Sequence, residues 1–454
     1  MKRRLQAALE DKDFSELFKK GGVSFFLRIG GQLLGFFLTL LIAKYFGAEG
    51  LGEYMLSVVV LRIFTLLAKL GLDTTSIRFS ASFAAQNKWK SLLLFFKKIY
   101  SILILSSLIS SFVMYFLSNI IADFLNINSE YIRTFSYFIL PMVFFVLHYQ
   151  SLRGLKKIGI FSFYYRMSQA LFTIIIILIL LQFSNDPSIP FHAYIISLLF
   201  VSSLSFLSFW NVLKEKNNNY EEETIIEHQT LKNILVIALP LMLAQSVQLI
   251  MIWTDKLMIG NMMSVTDVGI YGVAFKLSMF ASVTLMAINS IAAPKFAEMY
   301  GEKNMEGLKK VVQKSTKMIF WSTLPLLIIF FLFPTFFLGI FGGEFKIGVN
   351  AFIILSAGML ISAFSGSVGN LLQMTGKQLV FMKILIAGAV INVGLNYLLI
   401  PESNPLSEFG ISGINGAAIA SMCSIVFWNL SMVLVVKKQF GFLTFYIPFR
   451  KDEQ

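Results

Sequence analysis

Apolar runs of about twenty residues, each long enough to cross the roughly 30 Å hydrocarbon layer of a bilayer, recur along the chain with short polar breaks between them. They fall at 23–43, 53–73, 99–121, 132–150, 160–182, 191–212, 232–254, 268–292, 317–338, 349–372, 379–400 and 412–436, which makes twelve. With 56% hydrophobic and 14% charged residues over 454 positions, and a mean hydropathy of +0.74, the chain carries more apolar surface than a soluble core can bury. Lipid is the solvent this pattern requires, and the fold it predicts is all-α and polytopic, with about twelve transmembrane helices. Pro240 and Pro325 sit inside runs, where neighbouring helices compensate the lost hydrogen bond.

A formal charge of +13 in a soluble protein points to nucleic acid, but here the charge lies in the breaks. Counted over alternate breaks with an inside N-terminus, inside segments hold 29 Lys and Arg, whereas outside loops hold only Lys44, Lys256 and Lys346. The positive-inside rule therefore predicts cytoplasmic termini in the cytoplasmic membrane, with membrane lipids as neighbours and no nucleic acid. Residues 1–22 are charged throughout and the run that follows is too long for a signal h-region, so the first helix is expected to remain as an anchor. The single cysteine, Cys423, and the scattered His148, His192 and His228 predict neither a disulfide nor a metal site. No nucleotide-binding motif is present, so transport would run on an ion gradient, the membrane potential or the solute's own gradient.

The longest polar break, KEKNNNYEEETIIEHQT at 214–230, reads as a cytoplasmic linker. It divides the chain into an N-terminal segment (1–22), a six-helix bundle (23–213), the linker, a second six-helix bundle (231–436) and a cytoplasmic tail (437–454). A weak repeat supports the division. GAEGLGEY at 47–54 aligns with SVTDVGIY at 264–271, matching Gly52 to Gly269 and Tyr54 to Tyr271, and Gly154 with Lys156 corresponds to Gly376 with Lys377. Chance matching in a biased composition is the competing explanation. An even number of spans in each half gives both the same orientation, with a cleft at the midplane as the expected substrate site.

Six basic residues fall within runs: Arg28, Arg62, Lys69, Arg133, Arg166 and Lys276. Arg133 and Arg166, near the starts of their runs, can snorkel to the interface, and Lys69 is open to either reading. Arg62 and Lys276 lie deeper, where a lipid-facing cation costs about 2.5–3.5 kcal/mol, so both should face a wet cavity that Arg28 joins. Arg62, Lys69 and Asp73 share a helical face, and pairing of a buried arginine with Asp73 is the structural alternative. A cavity with several cations and no central anion favours a phosphate-bearing solute. Asp255, with Asn392 and Asn396 one turn apart, offers oxygens for Na⁺ or a site for a proton, unless Asp255 caps a helix or pairs with Lys256. Small residues from Ser356 to Gly369 permit either close packing or a bend.

The stretches LFKKGGVSFFLRIGGQLLGFFLTLLIAKYFGAEGLGEY, ALPLMLAQSVQLIMIWTDKLMIGNM with VGIYGVAFKL, and INVGLNYLLIPESNPLSEFGISGINGAAIAS resemble the polysaccharide biosynthesis or oligosaccharide flippases. These are the O-antigen type of the multidrug, oligosaccharidyl-lipid and polysaccharide exporter superfamily. The resemblance implies a V-shaped bundle that flips a polyprenyl-diphosphate-linked glycan outward by alternating access, alongside a polymerase and ligase of the same pathway. It implies Arg28, Arg62 and Lys276 as cavity residues, to which the shared face adds Lys69. It also implies Na⁺ coupling through Asp255, Asn392 and Asn396, although the second carboxylate of some relatives is missing. No other cofactor is expected. A cation-coupled multidrug efflux pump is the nearest alternative. A glycan polymerase or ligase, or a scaffold, ranks lower because the outer loops are short and nearly uncharged.

Overall fold

The computed structural model describes residues 12–218 and 231–446. Most of the 214–230 linker, the start of the N-terminal segment and the end of the tail lie outside the described residues. The chain is helical, with no strand among the described residues, and every predicted run is mainly helical, although several, such as 132–150 and 349–372, are divided between two helices.

The first two runs share α1 (Lys12–Ala68), which breaks at Gly47, where φ is 70° and ψ is −173°. The second run stops at Ala68 rather than 73 because Leu70 (φ 49°) and Gly71 (φ 76°) are left-handed. A helix that no apolar run predicts, α2 (Leu72–Ala85), starts there. It is too polar to register as a span, and it buries Asp73, Thr75, Ser76, Phe79 and Phe83. The first unit then continues through α3 (Trp89–Phe116), α4 (Ser118–Leu125), α5 (Ser129–Ser136) and α6 (Ile139–Gly154). The chain goes on with α7 (Ile158–Phe163), a π-helical turn at Tyr164–Ser168, α8 (Gln169–Leu180) and α9 (Ile189–Asn218).

Beyond the linker run α10 (Leu231–Met262), α11 (Val265–Ser278), α12 (Ser282–Gly301), α13 (Met305–Leu332), α14 (Pro334–Gly339), α15 (Val349–Ser365), α16 (Val368–Met374), α17 (Gln378–Leu399) and α18 (Gly413–Phe440). Nine helical stretches among the described residues are long and apolar enough to span a bilayer, or ten if α5 and α6, bent by 54°, count as one. One of them, Phe26–Ala68, carries two predicted runs, and the 32-residue α10 carries another.

The chain forms two compact units, Met1–Ile42 with Glu53–Ser246, and Ala43–Gly52 with Val247–Gln454. The link 43–52 thus packs within the second unit, where the Ala48 N–H donates to Glu344 Oε1 at 2.8 Å. The first part of α10, 231–246, packs within the first. In the first unit α6 packs on α2 and α9, around Phe79, Phe95, Phe96, Phe209 and His148. In the second, α15 and α17 pack on α18, and a second cluster joins Phe296, Leu308, Val312, Leu371 and Val436.

Lipid offers no hydrophobic force between helices, so close approach at small residues and hydroxyl bonds that cross between helices support this packing, as where Ser106 Oγ and Ser110 Oγ of α3 donate to the Ala68 and Phe64 carbonyls of α1 at 2.6 and 3.0 Å. The string 356–369 does both things the sequence allows. Gly358 lets α15 approach Met422 of α18, and Gly366, at φ 67°, ends α15 ahead of α16.

Candidate functional site

The basic residues of the spans separate by what surrounds them. Arg133 donates from Nε to Ser118 Oγ at 3.1 Å and from Nη2 to Asn119 Oδ1 at 2.7 Å, tying α5 to α4. Lys69 is also committed. Its ammonium lies 2.6 Å from Asp73 Oδ2 and donates to Gln245 Oε1 at 2.6 Å, and Gln245 in turn donates to Thr74 Oγ1. This network fastens the start of α2 to α10 within the first unit, and it is Lys69 rather than an arginine that takes Asp73 as its partner.

Arg62 sits mid-way along the second arm of α1 with its side chain exposed, within electrostatic reach of Tyr54, Tyr149 and Tyr194. Among the described residues no carboxylate pairs with it. Lys276 is half-buried in the last turn of α11, just before a 3₁₀ turn at Met279–Ala281 breaks that span. Arg28, on the first arm of α1, has its Nε buried without a hydrogen-bond partner.

The second unit holds a buried polar cluster around Asp255, which is only 3% exposed. Oδ1 accepts from Asn392 Nδ2 at 3.0 Å and Asn396 Nδ2 at 2.8 Å, while Oδ2 accepts from Tyr271 Oη at 2.5 Å and from Ser421 Oγ. The donors come from α17, α11 and α18. Asn392 and Asn396 reach one oxygen because residues four apart share a helix face. A carboxylate has about four lone-pair sites, and here every one is met.

This arrangement removes the reading in which Asp255 caps a helix or pairs with Lys256. Tyr271 and Ser421 complete the set, although their hydroxyls, in apolar runs, gave no sequence signal of a partner. Two carboxamide oxygens also converge: Asn392 Oδ1 accepts from Asn396 Nδ2 at 3.2 Å, and Asn396 Oδ1 is buried with no donor. A cation or proton reaching Asp255 would take the place of one of these donors, and one carboxylate with neutral hydroxyl and carboxamide oxygens beside it suits a monovalent cation or a proton better than a divalent ion, which seeks more oxygens and more charge. Elsewhere among the described residues, no three His, Cys, Asp or Glu side chains gather as metal ligands. His148 is buried against Tyr100 Oη, with Nε2 at 2.9 Å, and His228 lies outside the described residues.

Helices that span a bilayer, with cations inside them and one carboxylate desolvated among neutral donors, define a polytopic all-α membrane transporter or flippase. The family model for polysaccharide biosynthesis proteins matches residues 17–300, more than half of the chain, and the chain belongs to that family. A MatE family model matches 240–398.

The chain is 24% identical over 173 residues to the probable low-salt glycan biosynthesis flippase Agl15 of Haloferax volcanii, covering 38% of this chain and 35% of that protein. It is 26% identical over 208 residues to the uncharacterized membrane protein MJ1068 of Methanocaldococcus jannaschii, covering 44% and 38%. The match therefore spans little more than a third of the length of these curated relatives. In fold the chain is similar to the lipid II flippase MurJ in an inward closed conformation, with a TM-score of 0.69, 15% identity and 93% and 89% of the two chains covered. It is also similar to an inward-facing multidrug resistance MATE family transporter of the MOP superfamily, with a TM-score of 0.68, 17% identity and 93% and 98% covered. These are families of transporters and flippases, not of catalytic enzymes.

Proposed function

We propose that the chain flips a polyprenyl-diphosphate-linked oligosaccharide, a repeat unit of a surface polysaccharide, outward across the cytoplasmic membrane by alternating access. The observation that carries this reading is Arg62, a guanidinium in the middle of a span with no carboxylate partner among the described residues. A fixed cation at that depth is stabilised by an anionic solute, and a planar fork of donors suits phosphate oxygens. Membership of the polysaccharide biosynthesis family supports a glycan cargo. Arg28, Arg62 and Lys276 are assigned to the phosphates. Lys69, held by Asp73 and Gln245, is assigned to positioning α2 instead.

Asp255, Asn392, Asn396, Tyr271 and Ser421 would hold the coupling ion, Na⁺ or a proton. When bound, the ion would neutralise the one buried carboxylate of the cluster. A second reading, efflux of a cationic drug, is favoured by the MatE match over 240–398, which includes Asp255, Asn392 and Asn396.

The test is flipping of a labelled polyprenyl-diphosphate glycan in proteoliposomes, read by outside accessibility, beside efflux of a cationic dye. Arg62→Ala or Lys276→Ala should slow flipping by about tenfold or more, the effect of losing a charge-assisted contact. Lys276→Arg should keep much of the rate, and Arg62→Lys should be intermediate because it keeps the charge and loses the fork. Normal flipping by a well-expressed double alanine variant overturns the assignment, and dye efflux without glycan flipping supports the drug reading.

A further inference from the structure

Arg166, which sequence alone sends to the membrane interface, meets Arg28 in the first unit. The approach is built by small residues. A Cβ at Gly31 would lie 2.5 Å from the Arg166 carbonyl oxygen and 2.8 Å from Arg166 Cβ, so the first arm of α1 presses against the backbone that follows α7. Arg28, three residues before Gly31, lies within electrostatic reach of Arg166 and of Tyr165.

The chain locally abandons α geometry to present Arg166, which sits in the π-helical turn Tyr164–Ser168, a feature often found at functional positions. Its guanidinium carbon lies 4.4 Å from the centroid of the Tyr165 ring. Stacking uses the face of the group and leaves the donors in its plane uncommitted.

The two guanidiniums, on neighbouring helices and within electrostatic reach, repel each other, and the Arg28 Nε–H has no acceptor. Among the described residues no carboxylate pairs with either arginine. A structural role for such a pair would call for a counter-charge or an acceptor, and an unmet buried donor is costly. A bound oxyanion supplies both.

We propose that Arg28 and Arg166 form a two-arginine site inside the first unit, which grips the diphosphate of an isoprenoid carrier. The inference rests on the lipid-linked reading above and adds Arg166 to it. The ligand chemistry is a lipid-borne phosphate with several free oxygens. The two linked phosphates of a glycosylated diphosphate together carry two charges and four non-bridging oxygens, enough for two forks, whereas a phospholipid phosphodiester carries one charge and two such oxygens.

The test is binding of geranylgeranyl diphosphate to the full chain in phosphatidylcholine nanodiscs, with thermal unfolding followed in the same sample. Arg28→Gln and Arg166→Gln should each raise the Kd about tenfold without lowering the unfolding temperature, and Arg166→Lys should recover part of the loss. Inorganic pyrophosphate should displace the probe from the wild-type protein, and phosphatidylglycerol should displace it poorly. Wild-type affinity in a stable Arg166→Gln variant overturns the pair while leaving the Arg62 and Lys276 flipping losses intact. Displacement by phosphatidylglycerol as readily as by pyrophosphate assigns the arginines to bulk lipid and also overturns it. A wild-type protein with no affinity for the probe removes the lipid-linked reading along with the pair.

Discussion

A carboxylate taken out of water and given four donors is held at the expense of its alternatives, because removing any donor leaves a buried charge less than satisfied. Asp255 is in that position, with Asn392, Asn396, Tyr271 and Ser421 around it. The substitution Asp255→Asn keeps the shape, lets Oδ1 go on accepting from the two asparagines, and turns the other end into a donor that either hydroxyl can accept. The variant should therefore fold and reach the membrane. Its transport should lose dependence on the Na⁺ or proton gradient, measured as flux in proteoliposomes with each gradient imposed in turn, and unchanged ion dependence would show that the cluster is structural. The sequence made Asp255, Asn392 and Asn396 legible because a carboxylate and two amides one turn apart are rare in apolar runs. Ser421, 166 residues from Asp255, was not legible, since a hydroxyl in a span most often bonds back to its own helix. The π-helical turn that carries Arg166 was not legible either, because a π-turn has no apolar signature.

Between elements, the internal repeat takes physical form at the two aligned glycines. A Cβ at Gly52 would collide with the Val265 carbonyl oxygen, and one at Gly269 with the Ala48 carbonyl oxygen, so the two repeat segments cross backbone to backbone at reciprocal positions. That reciprocity is what a local two-fold relation between repeated segments would give. The aligned tyrosines have diverged: Tyr54 packs edge-on to Phe191 and Tyr194, while Tyr271 serves Asp255. Gly52→Ala or Gly269→Ala should cost about 1–3 kcal/mol, since neither contacting carbonyl can move without its helix. Gly394→Ala, with nothing within 4 Å of the new carbon, should be neutral or stabilising by up to about 1 kcal/mol. Thermal unfolding of the three purified variants in detergent checks this, and equal melting points would mean that the crossing is loose. Helix α2 and the break before it escaped the hydropathy reading because Asp73, Thr75 and Ser76 are buried by packing and bonding rather than by apolarity. Their polarity looks the same in sequence as that of a solvated loop.

For the whole molecule, orientation in the membrane is a property that internal packing does not encode, because a helical bundle satisfies the same contacts whichever end faces the cytoplasm. Loop charge encodes it instead, and on the twelve-run reading 29 basic residues fall on one side against three on the other, which would bias insertion strongly. That asymmetry also tests the span count, since one span more or fewer in either half would bring basic loops to both faces. The linker 214–230 and both termini should accordingly be cytoplasmic. Cys423 is the chain's single cysteine and lies half-buried in α18, so Cys423→Ala gives a background without thiols. On that background Asn218→Cys should resist an impermeant maleimide in intact cells and react once the membrane is permeabilised. Glu402→Cys, in the loop between α17 and α18, should react in intact cells, because that loop follows a span from the cytoplasmic Lys377–Lys383 stretch. Labelling at 218 and protection at 402 would invert the map. The flipping direction proposed for the glycan would invert with it, since the outward face of the carrier is defined only by which loops meet the cytoplasm.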